Sequence, residues 1–432
     1  MRNGIRVTAV VGALLVLSAC GTKLQGGESS AAPSGSAAKP LVYWGKWAKG
    51  TPQATLFESV IADYAKQTGV KVDVQWLGKA QEEQIKNAIA TGEGPDFFDT
   101  AIDHTAEFRA AGALGDMSDV FRTRIPGENA TIEEVLPKSV LKAISDDKGY
   151  GFVPHSVFSV GLWYDAARHP DFATTPPRTF ADFLALAGKE KAAGRRPIAL
   201  DGTVNSYNAF WLYQLLLSTA GPGTLRQLAE DPAAWDRPDV KRAVTELESL
   251  VKAGLFQPDH MATKFPDAQN AWAAGDHTFN LNGTWLGSET ASLRAPAVKA
   301  RIIALPPVDA SKGAAVTIGA LGWGVNPKSA NRRAVSDFLA FAMQKKYIDR
   351  IATDADNIPS RSDSPAPEEL TSIQESIRTA TAVSLDFDGV ATVAPKWFND
   401  VFLPLDDKLV GGSIDAGKFL AEGKAQTAEL GD

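Results

Sequence analysis

The chain has 432 residues, 44% hydrophobic and 22% charged, with a net charge of −7 at pH 7. That composition is ordinary for a globular protein and long enough for two domains with cores of their own. The negative balance argues against a nucleic-acid or anionic-membrane surface as a partner and says nothing against a neutral ligand.

The first 20 residues do not read as fold. Arg2 and Arg6 precede an apolar run from Val7 to Leu17, too short for a stable membrane span but laid out as a secretory signal. The run ends Leu17-Ser18-Ala19-Cys20, followed by Gly21, and Cys20 is the only cysteine. This matches the bacterial lipoprotein signal, in which the cysteine is lipidated and becomes the new N-terminus. A diacylglyceryl group carries two acyl chains, enough for stable anchoring. Residues 21–39 are rich in Gly, Ser and Ala and read as a flexible tether. No later stretch is long and apolar enough to span a membrane. The expectation is an exported protein held at the outer face of the cell membrane by its lipid.

In chain order, Leu41 to Trp44 reads as a short strand ended by Gly45. Gln53 to Gln67 reads as a helix, with Phe57, Val60, Ile61 and Tyr64 in one apolar stripe and Gly69 as its stop. Val70, Val72, Val74 and Trp76 alternate with Lys71, Asp73 and Gln75, the pattern of a half-buried strand. A helix at Glu82 to Ala90 and a strand opening at Asp96-Phe97-Phe98 complete a βαβαβ rhythm, which implies a largely parallel sheet. A second unit starts near Tyr150: Phe158 to Tyr164 reads as a strand, Thr179 to Ala193 as a helix with Thr179 as N-cap, and Pro197 to Leu200 as a strand. Further helices are predicted at Tyr207 to Thr219, Asp239 to Ala253, Arg332 to Gln344, Lys346 to Asp354 and Lys396 to Leu409, with one more from Ile414.

Catalytic signatures are missing. There is no phosphate-binding glycine loop and no Gly-x-Ser-x-Gly elbow. The five histidines, 104, 155, 169, 260 and 277, show no metal spacing, so neither metal nor cofactor is expected. A glycosidase needs two carboxylates flanking a sugar, and that possibility stays open at the level of sequence.

The stretch Asp267 to Glu289 carries the most information. A small helix with Trp272 ends at Gly275, a short alternating strand follows, Gly283 turns the chain, and Trp285 opens a new helix. A short helix, Ala-Gly, a strand and then Asn282-Gly283-Thr284-Trp285 resembles the hallmark of extracellular solute-binding protein family 1, the sugar-type, maltose-binding-protein-like components of bacterial ABC importers in lipoprotein form. Other motifs agree in order: the Trp-rich first loop, Gly94-Pro95-Asp96, Val153-Pro154, Gly322-Trp323-Gly324 and Ile358-Pro359-Ser360.

The resemblance implies a two-lobed α/β, periplasmic-binding-protein-like fold of type II. It places an N-terminal lobe at 40–152 and 286–322, a C-terminal lobe at 153–285 and 323–432, and crossings near 152–155, 282–286 and 320–326. It implies a monomer that captures a carbohydrate between the lobes and passes it to the importer's permease, with no nucleic-acid partner. The alternatives are the same fold binding a polyol, a glycerophosphodiester or a peptide-like solute, an exported carbohydrate-active enzyme, or a structural surface lipoprotein.

Sugars offer apolar faces for aromatic rings and a rim of hydroxyls for planar polar groups. On that chemistry and the resemblance together, the candidate ligand residues are Trp47, Asp103, His104, His155, Phe158, Tyr207, Asn282, Trp285 and Trp323. Asp103 is the leading hydroxyl acceptor. Trp76, Trp163, Trp235, Trp272 and Trp397 are assigned to structure. Ala48 and Lys49 stand where some maltose-type members carry a carboxylate, so the ligand need not be a maltooligosaccharide. Few arginines lie near the proposed cleft, which weighs against an anionic solute.

Overall fold

The alternation at residues 70–76 forms the strand Val72–Trp76, which lies parallel to Leu41–Gly45, itself parallel to Phe97–Ala101. The structure, a computed structural model, describes residues 39–78, 81–312, 315–380 and 382–431. The leader with Cys20 and the tether to residue 38 lie outside the described residues. Residues 40–432 form one compact unit built on two sheets.

The larger sheet has six strands in the order 358–359, 153–158, 319–325, 97–101, 41–45, 72–76. Only the last three are parallel; Gly319–Val325 runs antiparallel to both of its neighbours. The smaller sheet has four strands in the order 300–303, 160–165, 277–283, 196–199, with one parallel pair. The largely parallel sheet expected from the first βαβαβ rhythm therefore holds for its three strands and not beyond. Two main hydrophobic clusters result, the first spanning the larger sheet and one face of the smaller through Trp163 and Ile302, the second lying on the smaller sheet's other face. Phe57, Tyr64, Phe97 and Phe338 belong to the first, and Phe183, Trp211, Leu247 and Phe279 to the second.

Local chemistry sets the helices. Pro52–Thr68 starts after Thr51, whose hydroxyl accepts the Ala54 N–H, and stops at Gly69, which takes φ 76°, a conformation glycine adopts without a Cβ clash. It buries Leu56, Phe57, Val60 and Tyr64, each worth about 1.5–3 kcal/mol when fully removed from water. Phe180–Ala192 carries a full capping box. The Thr179 hydroxyl accepts from Asp182 N–H at 3.1 Å, and the Asp182 carboxylate accepts from Thr179 N–H at 3.0 Å.

The chain crosses between sheets elsewhere than the resemblance implied. The strand expected at 158–164 starts at Val160, residues 153–158 form a separate strand in the other sheet, and the change comes at Ser159. There the backbone bonds pass from one sheet to the other: the Val160 N–H donates to Thr317 Oγ1 at 3.2 Å, and Ser159 O accepts the Thr284 N–H at 2.9 Å. No crossing occurs at 282–286, because His277–Gly283 and Ala300–Ile303 both belong to the smaller sheet. The return runs between Ile303 and Gly319, and a third passage lies between Val383 and Phe387, which belong to different cores. The two returning segments pair with each other as parallel strands, Val316–Thr317 with Val383–Ser384. Strands 153–158 and 319–325 thus lie in the larger, N-terminal lobe and strand 300–303 in the smaller one, a correction to the partition given above.

Candidate functional site

The parallel strands of the larger sheet end at Gly45 and Ala101, and Leu321 lies opposite Ala101. Ligands of open α/β sheets bind outside such carboxyl ends. A cavity of ≈ 420 Å³ opens there, lined by Lys46, Trp47, Gln53, Ala101, Asp103, His104, Phe158, Thr284, Trp285, Ser288, Glu289, Leu321 and Asn357. Its walls come from both lobes. Larger cavities of ≈ 520, ≈ 550 and ≈ 640 Å³ lie elsewhere, each with two or more arginines in its wall. They lack the tryptophans and the position at strand ends that suit a solute cleft.

Trp47 is placed by a buried carboxylate. Asp99 accepts the Tyr43 hydroxyl at 2.7 Å and the Lys46 N–H at 2.9 Å, and Gln81 donates to Trp44 O at 2.8 Å and Asp99 O at 2.9 Å. These bonds tie the turn after the first strand to its neighbour. Burial pushes the Asp99 carboxyl up to about 6, against the pull of the Tyr43 and Lys46 hydrogen bonds. Trp47 is half-buried, and its indole N–H is shielded from solvent with no acceptor among the described residues. A ligand oxygen is the partner such a group calls for.

Asp103 and His104 follow the 97–101 strand in a short 3-10 turn. The Asp103 carboxylate is exposed, with His104 Nε2 4.0 Å away, and Asp103 O accepts the Thr392 hydroxyl at 3.3 Å. Phe158 ends the crossing strand, and its ring meets Trp285 edge-on at 6.0 Å.

Two glycines make room for these rings. A Cβ on Gly319 would fall inside the Phe158 ring, and one on Gly283 inside the Trp285 ring. The Gly-Thr-Trp order therefore lets Trp285 fold back over the end of its own strand. Gly319→Ala is expected to push Phe158 off its place, costing about 1–3 kcal/mol; a denaturant midpoint equal to wild type would contradict this packing.

Of the nine candidates, the cavity gathers Trp47, Asp103, His104, Phe158 and Trp285. Tyr207 stands behind Trp285, its hydroxyl accepting the indole N–H at 3.4 Å. Asn282 is buried beneath the turn, where its Oδ1 accepts the Gly283 N–H at 2.7 Å. His155 and Trp323 are corrections. Both are 1% exposed and pack with Phe57 inside the larger lobe, at 4.9 Å for His155–Phe57 and 4.8 Å for His155–Trp323. Trp323 shares a strand face with Leu321 but lies two residues, about 6.6 Å, further in, and helix 52–68 covers it through Phe57.

Sequence reasoning missed Lys46, Gln53, Thr284, Ser288, Glu289, Leu321 and Asn357. A signal existed for two of them: Ser288 and Glu289 follow Trp285 at i+3 and i+4 and so share its helix face. Glu289 accepts from Gln269 Nε2 at 3.2 Å. The polar groups of the cavity are thus carboxylates, amides, two hydroxyls and the His104 imidazole, with Lys46 as the cation.

Burial lowers His155 from 6.5 to about 3. Between those values the unfolded chain binds a proton that the native chain does not. His155 therefore contributes stability that is present above pH 6.5 and lost as pH falls toward 3, with a slope of about 1.4 kcal/mol per pH unit. His155→Gln is expected to flatten urea-midpoint-versus-pH curves by that amount over this window; an unchanged slope would contradict the buried, neutral ring.

Comparison with known proteins agrees with this geometry. Residues 47–348 match the family model described as bacterial extracellular solute-binding protein. The chain is 25% identical over 333 residues, 75% of its own length and 76% of the relative's, to a probable sugar-binding periplasmic protein of Mesorhizobium japonicum. It is 24% identical to a diacetylchitobiose binding protein of Streptomyces coelicolor, across 66% of this chain and 63% of that one. Among solved structures, the apo-form of RafE from Streptococcus pneumoniae has a TM-score of 0.73 at 17% identity, covering 91% of this chain and 99% of that one. A cyclic α-maltosyl-1,6-maltose binding protein from Arthrobacter globiformis has a TM-score of 0.70 at 16% identity, covering 90% and 98%. These structures share the two-lobed fold.

Proposed function

From a chain that belongs to the bacterial extracellular solute-binding protein family, we propose a binding protein that captures a sugar or short oligosaccharide between its lobes and delivers it to the permease of an ABC importer. The observation that carries this reading is the pair Trp47 and Trp285, brought to one cavity from different lobes with Asp103, Gln53, Ser288, Glu289 and Asn357 beside them. The rings stack on the sugar's apolar faces, and the carboxylates and amides bind its hydroxyls. The relatives named for sugars support the same class of ligand.

In this mechanism the lobes rotate about the passages at Ser159, 304–318 and 383–387, enclose the sugar and exclude water. The closed shape engages the permease, and the importer's ATPase does the chemical work. The protein itself turns nothing over. Cys20 carries the lipid that holds the monomer at the outer face of the cell membrane. Mass spectrometry of the protein extracted from membranes tests this: an N-terminal acylated cysteine is expected, and an unmodified Cys20 would contradict it.

The reading is tested by a thermal-shift screen of the chain from residue 21 onward. A ligand that binds only the folded state raises the melting temperature by mass action. A rise with one sugar, chitin disaccharides included, supports it. A rise only with polyols, glycerophosphodiesters or peptides keeps the fold and replaces the ligand class, and consumption of the bound sugar points to an enzyme.

A further inference from the structure

The chain is acidic as a whole, yet one end of the larger lobe gathers four guanidinium groups. Arg122 and Arg124 follow the short helix Ser118–Phe121, and Arg332 and Arg333 open the helix Arg332–Ala342 packed beside it. Together they line the cavity of ≈ 640 Å³. The charges are only partly matched within the protein. Asp119 takes both ends of Arg332, at 2.9 and 2.5 Å, and Arg333 reaches Asp337 at 3.2 Å. Arg124 has the neutral amide of Asn129 at 3.0 Å and feels the nearby Glu134 carboxylate without forming an ion pair with it, and Arg122 makes no ion pair with a carboxylate among the described residues.

The start of helix 332–342 adds to the field. Its N-cap residue, Asn331, turns its side-chain amide to Asp96, at 3.1 and 3.3 Å, and does not cap the helix. The positive end of the helix dipole is left without a side-chain acceptor. The first two residues of that helix are the two arginines in the cavity wall.

We propose that this cavity is a binding site for a phosphate group. Guanidinium forks match phosphate oxygens in pairs, and several forks from two elements suit a group that offers oxygens on all sides. An open helix N-terminus favours the same charge. The site is separate from the sugar cleft. Strand 319–325 starts at the cleft, with Leu321 opposite Ala101, and ends with Val325 opposite Phe97. The chain reaches Arg332 from that far end, which is also where it enters the sheet at Leu41, since Phe97 pairs with Tyr43.

The phosphate has two sources, a lipid headgroup or a soluble phosphate. The first rests on the lipoprotein reading proposed above, and the folded chain begins at this end of the larger lobe, with Leu41. The acidity of the whole chain opposes a membrane surface, but Debye screening limits that opposition to about 8 Å at physiological salt, so the local charge decides.

The test uses the chain from residue 21 onward, as wild type and as the double variants Arg122→Glu/Arg124→Glu and Arg122→Gln/Arg124→Gln. Sedimentation with phosphatidylcholine vesicles, with and without phosphatidylglycerol, is run at low and high salt, and inorganic phosphate is titrated by calorimetry. Binding to the anionic vesicles at least about tenfold above the neutral ones, lost at high salt and in both variants, supports the site with headgroups as its source. Saturable phosphate binding, lost in both variants without vesicle binding, supports it with a soluble source. Wild type and both variants behaving alike in both arms would overturn it. Both altered arginines are exposed, and an unchanged thermal shift with sugar confirms that the variants are folded. An unmodified Cys20 removes the lipid-anchor reading without changing either binding result.

Discussion

Trp285→Ala is expected to weaken sugar binding by about 2 kcal/mol, roughly thirtyfold, while leaving the protein folded. Trp285 is only half-buried, so its ring presents a face to the cavity, and it is held in place from several sides. Gly283 lets it lie over the strand end, Phe158 meets it edge-on at 6.0 Å, and Tyr207 accepts its indole N–H. A ring fixed this way loses little freedom when a sugar stacks on it, so most of its contact energy reaches the affinity. Truncation opens space at the rim of a solvated cavity, where water enters at low cost. Calorimetric titration with the sugar found in the screen, beside a melting curve, checks both halves of the expectation. An affinity equal to wild type would make Trp285 a wall of the cleft with no stacking role.

Trp323→Ala is expected to act the other way round. Its ring is 1% exposed, packs against Phe57 at 5.3 Å and His155 at 4.8 Å, and belongs to the core of the larger lobe. Removing a buried tryptophan leaves a cavity lined by side chains that relax only in part, a loss of about 3–5 kcal/mol. Denaturant unfolding measures it directly. The folded fraction is expected to bind sugar as wild type does, because helix 52–68 and Leu321 stand between this ring and the cavity. A stable variant with weakened binding would return Trp323 to the cleft.

These two tryptophans mark how far the sequence could be read. Both follow a glycine in a short motif, and both lie where the family resemblance suggests cleft aromatics. What separates them is depth along a strand, and depth depends on which end of the sheet a strand presents to the cleft. That is a matter of pairing direction: strand 319–325 runs antiparallel to 97–101, so its first residues reach the cleft and its fifth does not. Pairing direction arises from contacts hundreds of residues apart and leaves no local trace.

Local rules did well where the chemistry is local. The helix stop at Gly69, the N-cap at Thr179 and the strand-to-helix turn at Trp285 were all legible, because hydrogen bonds three or four residues apart fix each one. The crossing at Ser159 was not. Residues 153–165 are extended and buried almost throughout, and only long-range partners, Thr317 and Thr284, divide them between two sheets. The helix Thr371–Thr379 was also missed, although Ile373 and Ile377 stand at helical spacing and are buried. It follows a Ser- and Pro-rich stretch, 360–367, that reads as loop, and two buried isoleucines make a narrow stripe. The same limit explains the cleft inventory. Trp47, Asp103, His104, Phe158 and Trp285 came from residue chemistry and resemblance, whereas Gln53 and Asn357, 304 positions apart by number (357 − 53), become neighbours of one cavity only in the fold.

The most direct test of the central claim is a calorimetric titration of the chain from residue 21 onward with the sugar that gives the largest thermal shift, followed by recovery of that sugar. One saturable site per chain, with the sugar recovered intact, is the result expected of a cleft that binds by closing on its ligand. Absence of saturable heat with every sugar, or recovery of a cleaved one, would contradict it.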